Sequence, residues 1–282
     1  MNDKIIMNRE SEITKLEQAS IKKVKEHWRI VIFYRFMFLT ATLGSWEILG
    51  RIGVIDPFFF SMPSKIIYQI YIWIIKGTSQ GPLWLQVLVT LEETVLGFLI
   101  GAVMGIVSGI ALGRNKMLAD IFSIYIKIAN AIPRIVLGSI FIIALGLGMA
   151  SKVALAVVMV FFVVFGNAFQ GVREADVNLI ANAKVLGAND SQITFKVVLP
   201  SALSWILASL HISFGFALVG AVVGEFLGSK QGIGLLIATA QGAFNAAGVF
   251  AAMIVLAVVA LLADYLITRL ENRLLKWRPN IQ

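Results

Sequence analysis

The charged residues inside apolar stretches are the ones whose chemistry is most informative. Lys127 and Arg134 lie in one such stretch, and Glu225 ends another. An ionisable group at the centre of a bilayer costs about 2.5–3.5 kcal/mol on insertion scales, so each needs a reason. The two cations could face a polar path and attract an anion, pair with an internal carboxylate, or lie near an interface. Glu225 could line a gate, contact an outer protein, or meet water at a helix end.

Residues for covalent or metal chemistry are scarce. The chain has no cysteine and only two histidines, His27 and His211. Two histidines are too few for a histidine-based metal site, and no nucleophile–base pair is evident. The G-x-x-x-x-G-K-[ST] motif that cradles nucleotide phosphates is absent, since the run from Gly224 to Lys230 has the wrong spacing. We therefore expect no enzymatic activity, no metal and no cofactor bound by this chain.

The composition indicates a membrane protein. Of 282 residues, 59% are hydrophobic and 14% are charged, and the mean hydropathy is +0.86. Soluble domains are about half apolar and a quarter charged, and disordered chains have low hydrophobicity. The net charge of +8 could suggest nucleic acid, but membrane proteins also concentrate Lys and Arg in cytoplasmic loops. We therefore expect a lipid bilayer around the chain and no nucleic-acid partner.

The apolar stretches predict an all-α integral membrane fold with six transmembrane helices. A helix needs about 20 apolar residues to cross a bilayer. Pro133 lacks an amide and should kink the third helix, which is interpreted as one broken span. The predicted spans are residues 30–50, 94–113, 121–147, 152–170, 202–226 and 246–270.

The flanking segments predict the orientation. Residues 1–29 carry charges of both signs, and their mostly apolar residues from Ile13 to Trp28 recur at helical spacing. They are interpreted as a cytoplasmic amphipathic segment before a transmembrane domain over 30–282. Residues 66–75 form a stretch that is too short to span a bilayer, and they are interpreted as a segment at the membrane–water interface. With six spans and both ends inside, 16 of the 24 Lys and Arg residues are cytoplasmic and five are external. The positive-inside rule therefore favours cytoplasmic N- and C-termini.

Two rows of glycines mark helix faces that other helices can approach closely. Small residues four apart lie on one face and permit tight packing in lipid. Ordinary helix packing explains such rows, and a sliding surface for rocking motions is compatible with it. The rows consist of Gly97, Gly101, Gly105, Gly109 and Gly113 in the second span, and Gly220, Gly224 and Gly228 at the fifth.

The long inner loop over 173–200 is predicted to form two short helices outside the membrane. Apolar residues from Val177 to Leu186 recur near helical spacing, and Gly187 stands where a helix often ends. Asn189 offers an N-cap for a second helix through Val198. Such a hairpin has to bury its apolar face against something, which predicts a protein partner.

This loop resembles the signature of binding-protein-dependent ABC importer permeases: Glu-Ala-Ala, three residues, Gly, nine residues, Ile, any residue, Leu-Pro. Ala181 replaces the Glu and Asn182 replaces the first Ala, so no ion pair from the Glu position is expected. Residues 58–67, 131–173, 220–237 and 269–279 are also similar to the nitrate, sulfonate, taurine and bicarbonate branch. The residues that carry the loop resemblance are Ala181, Asn182, Ala183, Gly187, Ala188, Val197, Leu199 and Pro200.

The resemblance implies the type I ABC importer permease fold (MetI-like), with its core over about 88–270, in a bacterial-type inner membrane. It implies a homodimer, two ATPase subunits that hold ATP and Mg on the inner face, and a solute-binding protein outside. The implied function is alternating-access import of a small anion, or of a thiamine precursor, riboflavin-like molecule or aromatic acid. A secondary transporter is a more remote alternative, because no internal repeat or paired intramembrane carboxylates are evident.

Overall fold

The computed structural model describes the backbone of residues 2–274 and the side chains of residues 26–269 and 273. Within this part of the chain the secondary structure is helical, and an isolated bridge joins Thr78 and Gly81. A short 3₁₀ turn occupies Arg134–Val136, and a π turn occupies Thr194–Val198. The α-helices are α1 Asn2–Arg51, α2 Pro57–Phe60, α3 Pro63–Ile75, α4 Leu83–Arg114, α5 Lys116–Ala131, α6 Leu137–Leu145, α7 Met149–Arg173, α8 Val177–Val185, α9 Asp190–Ile193, α10 Leu199–Leu227, α11 Ile233–Gly242 and α12 Ala246–Leu274.

The first compact unit comprises residues 1–65 and is dominated by α1. This helix continues without a break through both the predicted surface segment 1–29 and the predicted span 30–50. The side chains that define the amphipathic face of residues 1–25 lie outside the described residues. Near the end of α1, Glu47 accepts hydrogen bonds from Arg51 at 2.8 Å and from the amide of Ser64 at 3.0 Å.

The second compact unit comprises residues 66–282, and α7 lies at its centre between α4 and α10. The glycine row of α4 packs along α7, and each of its glycines lies against an α7 side chain, in chain order Ala156, Val160, Val164, Ala168 and Val172. From the other side, Gly220 and Gly224 of α10 approach Ala156 and Lys152, whereas Gly228 approaches Leu147 and Ile142. The α4 row and the first two glycines of the second row therefore pack against α7, and Gly228 packs against α6 and the turn after it.

The order of these contacts gives the directions of the helices. Contacts of α4 and α7 advance together from Gly97 with Ala156 to Gly113 with Val172, so the two helices run parallel. The chain between them must return over the length of the unit. It does so as α5 and α6, which are bent by 75° at a break before Arg134. The predicted single kinked span is thus present, with its break at Ile132 and Pro133.

Five described helical segments are long and apolar enough to cross a membrane, and the bent α5–α6 pair makes a sixth. The count agrees with the predicted six spans, but one segment differs. Residues 57–75, predicted to be interfacial, satisfy the length and composition criteria when α2 and α3 are taken together. Residues 30–50 are not apolar enough to count as a span, because Arg35, Glu47 and several hydroxyl side chains lower their mean hydropathy.

The last helices complete the unit. Helix α10 runs antiparallel to α7, since Gly171 contacts Ala202 at one end and Gly224 contacts Lys152 at the other. His211 Nε2 on α10 lies 3.2 Å from Asp264 Oδ1 on α12, which fits the expected interhelical role of His211. The apolar helix α11, with ten residues, is too short to span.

Candidate functional site

The predicted hairpin is present and is built by strong local capping interactions. Asp176 caps α8 by accepting from the amide of Asn178 at 2.8 Å. Gly187 ends α8 with a φ of +80°. The amides of Gly187 and Ala188 donate back to the carbonyls of Lys184 and Ala183, both at 3.0 Å. This is a Schellman motif, in which the left-handed residue favours glycine.

The second arm of the hairpin begins with a capping box. Asn189 Oδ1 accepts from the amide of Gln192 at 2.8 Å, and Gln192 Oε1 accepts from the amide of Asn189 at 2.9 Å. The predicted second short helix differs from the structure, because α9 does not end before the next span. It continues through the π turn into α10, so residues 190–227 form one long helical segment.

Pro200 gives a physical reason for the π turn. A proline inside a helix has no amide, and its ring clashes with the carbonyl four residues earlier, here that of Lys196. A π turn over Thr194–Val198 widens the helix at this position and accommodates the ring. Pro200 therefore lies near the start of α10, as predicted, and the helical segment continues through it.

The hairpin has a buried inner face and an exposed apolar outer face. Ile193 and Val198 are buried with Ala168 and Val172 of α7, and Ile180 packs against this cluster. The opposite face exposes Val185 and Leu186 at 87% and 86%, together with the aromatic ring of Phe195 at 67%. Apolar side chains this exposed, outside a membrane, are typical of a surface that another protein covers.

The residues predicted from the loop signature lie together on this hairpin, in two groups. Ala183, Ala188, Val197 and Leu199 are half-buried and support it from inside. Ala181, Asn182, Gly187 and Pro200 are exposed. Arg114 at the end of α4 also contacts the hairpin, because its Nη2 donates to the carbonyl of Asp190 at 3.2 Å.

Arg134 and Lys127 lie on opposite sides of the break in the α5–α6 span. Arg134 is half-buried, donates to Asn130 Oδ1 at 2.6 Å, and its guanidinium lies 4.8 Å from the centre of the Phe162 ring. Among the described residues, no carboxylate forms an ion pair with it. Lys127 is exposed on α5.

Glu225 lies at the end of α10, and its side chain is fully buried and does not meet water there. A role at an outer gate or in contact with an outer protein stays a prediction. Glu225 Oε1 accepts from Thr90 at 2.7 Å and Glu225 Oε2 from the amide of Gly234 at 2.6 Å. It belongs to a group of polar side chains, each at most 2% exposed, that we call the buried polar cluster: Gln86, Thr90, Glu93, Ser151, Lys152 and Glu225.

The sequence interpretation missed most of this cluster. Glu93 lies before the predicted second span and Lys152 at the boundary of the predicted fourth, and neither position in the sequence indicates burial. The structure extends α4 back to Leu83, so the segment with Glu93 becomes part of a packed helix. One signal was available: Gln86, Thr90 and Glu93 recur at helical spacing and so share one face.

Comparisons with known proteins identify the family. The family model of the binding-protein-dependent transport system inner membrane component matches residues 97–276. The chain is 34% identical over 240 residues to the aliphatic sulfonates transport permease protein of Bacillus subtilis (strain 168), covering 85% of this chain and 86% of that protein. It is 28% identical over 245 residues to the taurine transport system permease protein of Escherichia coli (strain K12), covering 86% and 89%.

The solved structures agree on the fold. A chain of the MetNI methionine ABC transporter in an inward facing conformation has a TM-score of 0.58 and 22% identity, covering 69% of this chain and 96% of that chain. The predicted MetI-like fold and transport function are therefore confirmed. The chain belongs to the family of binding-protein-dependent transport system inner membrane components and is a multi-pass permease of ABC importers.

Proposed function

We propose that this permease moves a small organic anion of the sulfonate class inward by alternating access, driven by separate ATPase subunits. The observation that carries the proposal is the hairpin at residues 176–198. Its exposed apolar outer face and its buried inner face, tied to α4 and α7, suit the transmission of force from a docked protein. ATP and Mg would be held by the ATPase and not by this chain.

The assembly in this proposal has four further members. A second copy of the chain would complete the path, two ATPases would cover the hairpins, and a solute-binding protein would deliver the solute at the opposite end. The hairpin end is assigned to the cytoplasm, which places the N- and C-termini there as well. The excess of Lys and Arg on that side supports the assignment.

The proposed anion contact is Arg134, with Lys127 further along the same broken span. A cation without a carboxylate partner is expensive in a bilayer unless it faces water or a polar solute. Asn130 and Phe162 orient the guanidinium while leaving part of it exposed. Arg is also suited to planar oxyanions such as a sulfonate, which accept two parallel hydrogen bonds. The sulfonate and taurine permeases among the relatives support this solute class.

The hairpin is tested by Leu186→Glu, in the complex with its ATPase and binding protein. Leu186 is almost fully exposed, so the change should leave the fold intact and introduce a charge where the ATPase would dock. We expect weaker retention of the ATPase during purification and a loss of transport of about tenfold or more, since charges are disfavoured in the core of an interface. The matched control is Leu186→Met, which keeps the surface apolar. Full retention and transport in Leu186→Glu would overturn the docking assignment.

The solute class is tested on the cognate binding protein by thermal shift. The panel contains taurine, an alkanesulfonate, nitrate and bicarbonate, with riboflavin and an aminopyrimidine as neutral or cationic comparisons. We expect the sulfonates to raise the melting temperature most. Stabilisation by a neutral or cationic ligand alone would contradict the anion proposal and leave the ATPase-docking proposal standing.

A further inference from the structure

The buried polar cluster lies at the end of α4, α7 and α10 opposite the hairpin. Helix α4 shows this directly, since Gln86 and Thr90 are in its first turns while Arg114 at its last residue contacts the hairpin. The cluster brings together three helices and includes three ionisable side chains, Glu93, Lys152 and Glu225. Buried charges are costly unless they are paired and hydrogen-bonded, so their presence requires a structural or functional reason.

One side of the cluster caps the N-terminus of α11. The first amides of a helix have no partners inside it, and side chains must satisfy them. The amides of Gly232 and Ile233 donate to Gln86 Oε1 at 2.8 Å and Thr90 Oγ1 at 2.9 Å. The amide of Gly234 donates to Glu225 Oε2 at 2.6 Å. Helix α11 is therefore attached to both α4 and α10 at its first residues.

The other side of the cluster holds the turn between α6 and α7. Lys152 Nζ donates to the carbonyls of Leu147 at 2.7 Å and Gly148 at 3.1 Å. Ser151 Oγ donates to the carbonyl of Gly146 at 2.7 Å. The stem of the same lysine packs against Gly224 of α10, the helix that carries Glu225. Lys152 therefore joins the α6–α7 turn to α10 by hydrogen bonds and by packing.

The packing around Glu225 leaves no room for movement within the cluster. A methyl group placed on Gly232 or Gly234 would overlap the Glu225 side chain, and one placed on Gly224 would lie 3.1 Å from Lys152 Cγ. Gly232 also has a φ of +110°, a conformation that favours glycine. Interiors packed this closely hold discrete arrangements and do not deform continuously.

We infer that the buried polar cluster is a fixed joint, in which Glu225, Glu93 and Lys152 are positioning residues. They hold α11 and the turns at 146–148 and 228–232 in one rigid body with α4, α7 and α10. Opening this end by separating these elements would leave buried polar groups without their hydrogen-bond partners. Alternating access, on which this inference rests through the proposed function, then moves the body as a whole. The break between α5 and α6 is the place where the same chain can bend.

The first test links α11 to the turn before α4 with a covalent bond. Gln80 Nε2 donates to Thr239 Oγ1 at 3.1 Å, and the chain has no cysteine that would interfere. Gln80→Cys and Thr239→Cys are combined and joined by a short bifunctional methanethiosulfonate reagent in the complex with its ATPase and binding protein. We expect transport within about twofold of the reduced complex, because rigid-body motion does not change this distance. Loss of transport that a reductant restores would overturn the inference. Each single cysteine variant is the control for modification by the reagent itself.

The second test examines Lys152, with the yield of the same cross-link as the readout. Lys152→Met removes the hydrogen bonds to the carbonyls of Leu147 and Gly148, so it should lower both the cross-link yield and the melting temperature of the purified protein. Lys230→Met, which removes an exposed lysine in the turn after α10, is the matched control. If the cross-link yield of Lys152→Met equals that of the control, the α6–α7 turn is not part of the joint.

A third variant covers the case in which Lys152→Met yields no folded protein. Thr90→Val keeps the shape of the side chain but removes its bonds to Glu225 and Ile233. We expect a lower cross-link yield while the hairpin remains able to retain the ATPase. An unchanged cross-link yield in Thr90→Val would contradict the inference that the buried polar cluster is a fixed joint. The cross-link yields of the second and third tests need no solute. A complex that transports no sulfonate would therefore refute the proposed function without affecting those two tests.

Discussion

Arg134 combines a half-buried guanidinium with two neutral contacts, Asn130 and Phe162. Those contacts fix its direction without neutralising its charge. The ionisable groups of the buried polar cluster are different, because each is at most 2% exposed. At the scale of single residues, exposure therefore separates the cation proposed to meet the solute from the buried ionisable groups. This separation could not be made from the sequence, in which Arg134, Lys152 and Glu225 all occur in or beside apolar stretches.

The role of Arg134 is tested by Arg134→Gln in the reconstituted complex. A hydrogen bond to a charged group contributes about 1.5–3 kcal/mol, so transport of a sulfonate should fall by about ten- to a hundredfold. Transport by Arg134→Lys should lie between that of the unsubstituted protein and that of Arg134→Gln, because lysine keeps the charge but lacks the planar guanidinium group. Lys127→Gln should have a smaller effect, since no described contact orients that side chain.

Arg35→Gln serves as the control for this prediction. It removes an exposed cation on α1 that lies over Trp28 and belongs to the first unit, not to the broken span. Sulfonate uptake is measured alongside ATP hydrolysis stimulated by the binding protein. Equal transport by Arg134→Gln and Arg35→Gln would remove Arg134 from the proposed path.

At the scale of elements, sequence prediction succeeded where local rules decide the structure. The hairpin turn at Gly187 and the cap at Asn189 follow from backbone conformation and nearby hydrogen bonds, so neighbouring residues were sufficient. The extension of α4 to Leu83 was missed because Gln86, Thr90 and Glu93 interrupt the apolar pattern. Their burial depends on α10 and α11, which are more than a hundred residues away in the chain. Tertiary partners of this kind cannot be read from periodicity.

The glycine row of α4 makes a prediction about helix packing. Gly101→Ala places a methyl group 2.8 Å from both the Val157 carbonyl oxygen and Val160 Cβ, so α4 and α7 must separate. Overpacking of this kind costs about 1–3 kcal/mol and should lower the melting temperature of the detergent-solubilised protein. Gly166→Ala on α7 is the matched control, because its methyl group meets nothing within 4 Å. If Gly101→Ala and Gly166→Ala have the same melting temperature, close packing along this face of α4 does not stabilise the unit.

The capping box of the hairpin makes a second prediction at this scale. Asn189→Ala removes the acceptor for the Gln192 amide, and loss of such a cap costs about 0.5–2 kcal/mol. Hydrogen exchange of the amides over 189–193 should accelerate by up to about tenfold for each 1.4 kcal/mol lost. Asn189→Ser, which retains a capping oxygen, should exchange more slowly than Asn189→Ala. Identical exchange in all three proteins would show that the cap does not hold this arm.

At the scale of the whole molecule, α10 determines which segments share a side of the membrane. The helical segment Asp190–Leu227 is long and apolar enough to cross, and it joins the hairpin to the α10–α11 turn, so these two lie on opposite sides of the membrane. This arrangement does not depend on the positive-inside rule. The rule then assigns the hairpin to the cytoplasm, where the ATPase is proposed to dock.

That assignment predicts opposite labelling of two single-cysteine variants in the cysteine-free chain. Leu186→Cys is at the exposed tip of the hairpin, and Lys230→Cys is exposed in the turn after α10. In intact cells, a membrane-impermeant maleimide should label Lys230→Cys and should reach Leu186→Cys only after the membrane is permeabilised. A cysteine at Gly166, which lies within α7, controls for reagent that enters the bilayer. Labelling of both loops from the same side would contradict the crossing of the membrane by α10. The reverse pattern would keep the fold but invert the molecule, and the hairpin could then no longer be the contact with a cytoplasmic ATPase.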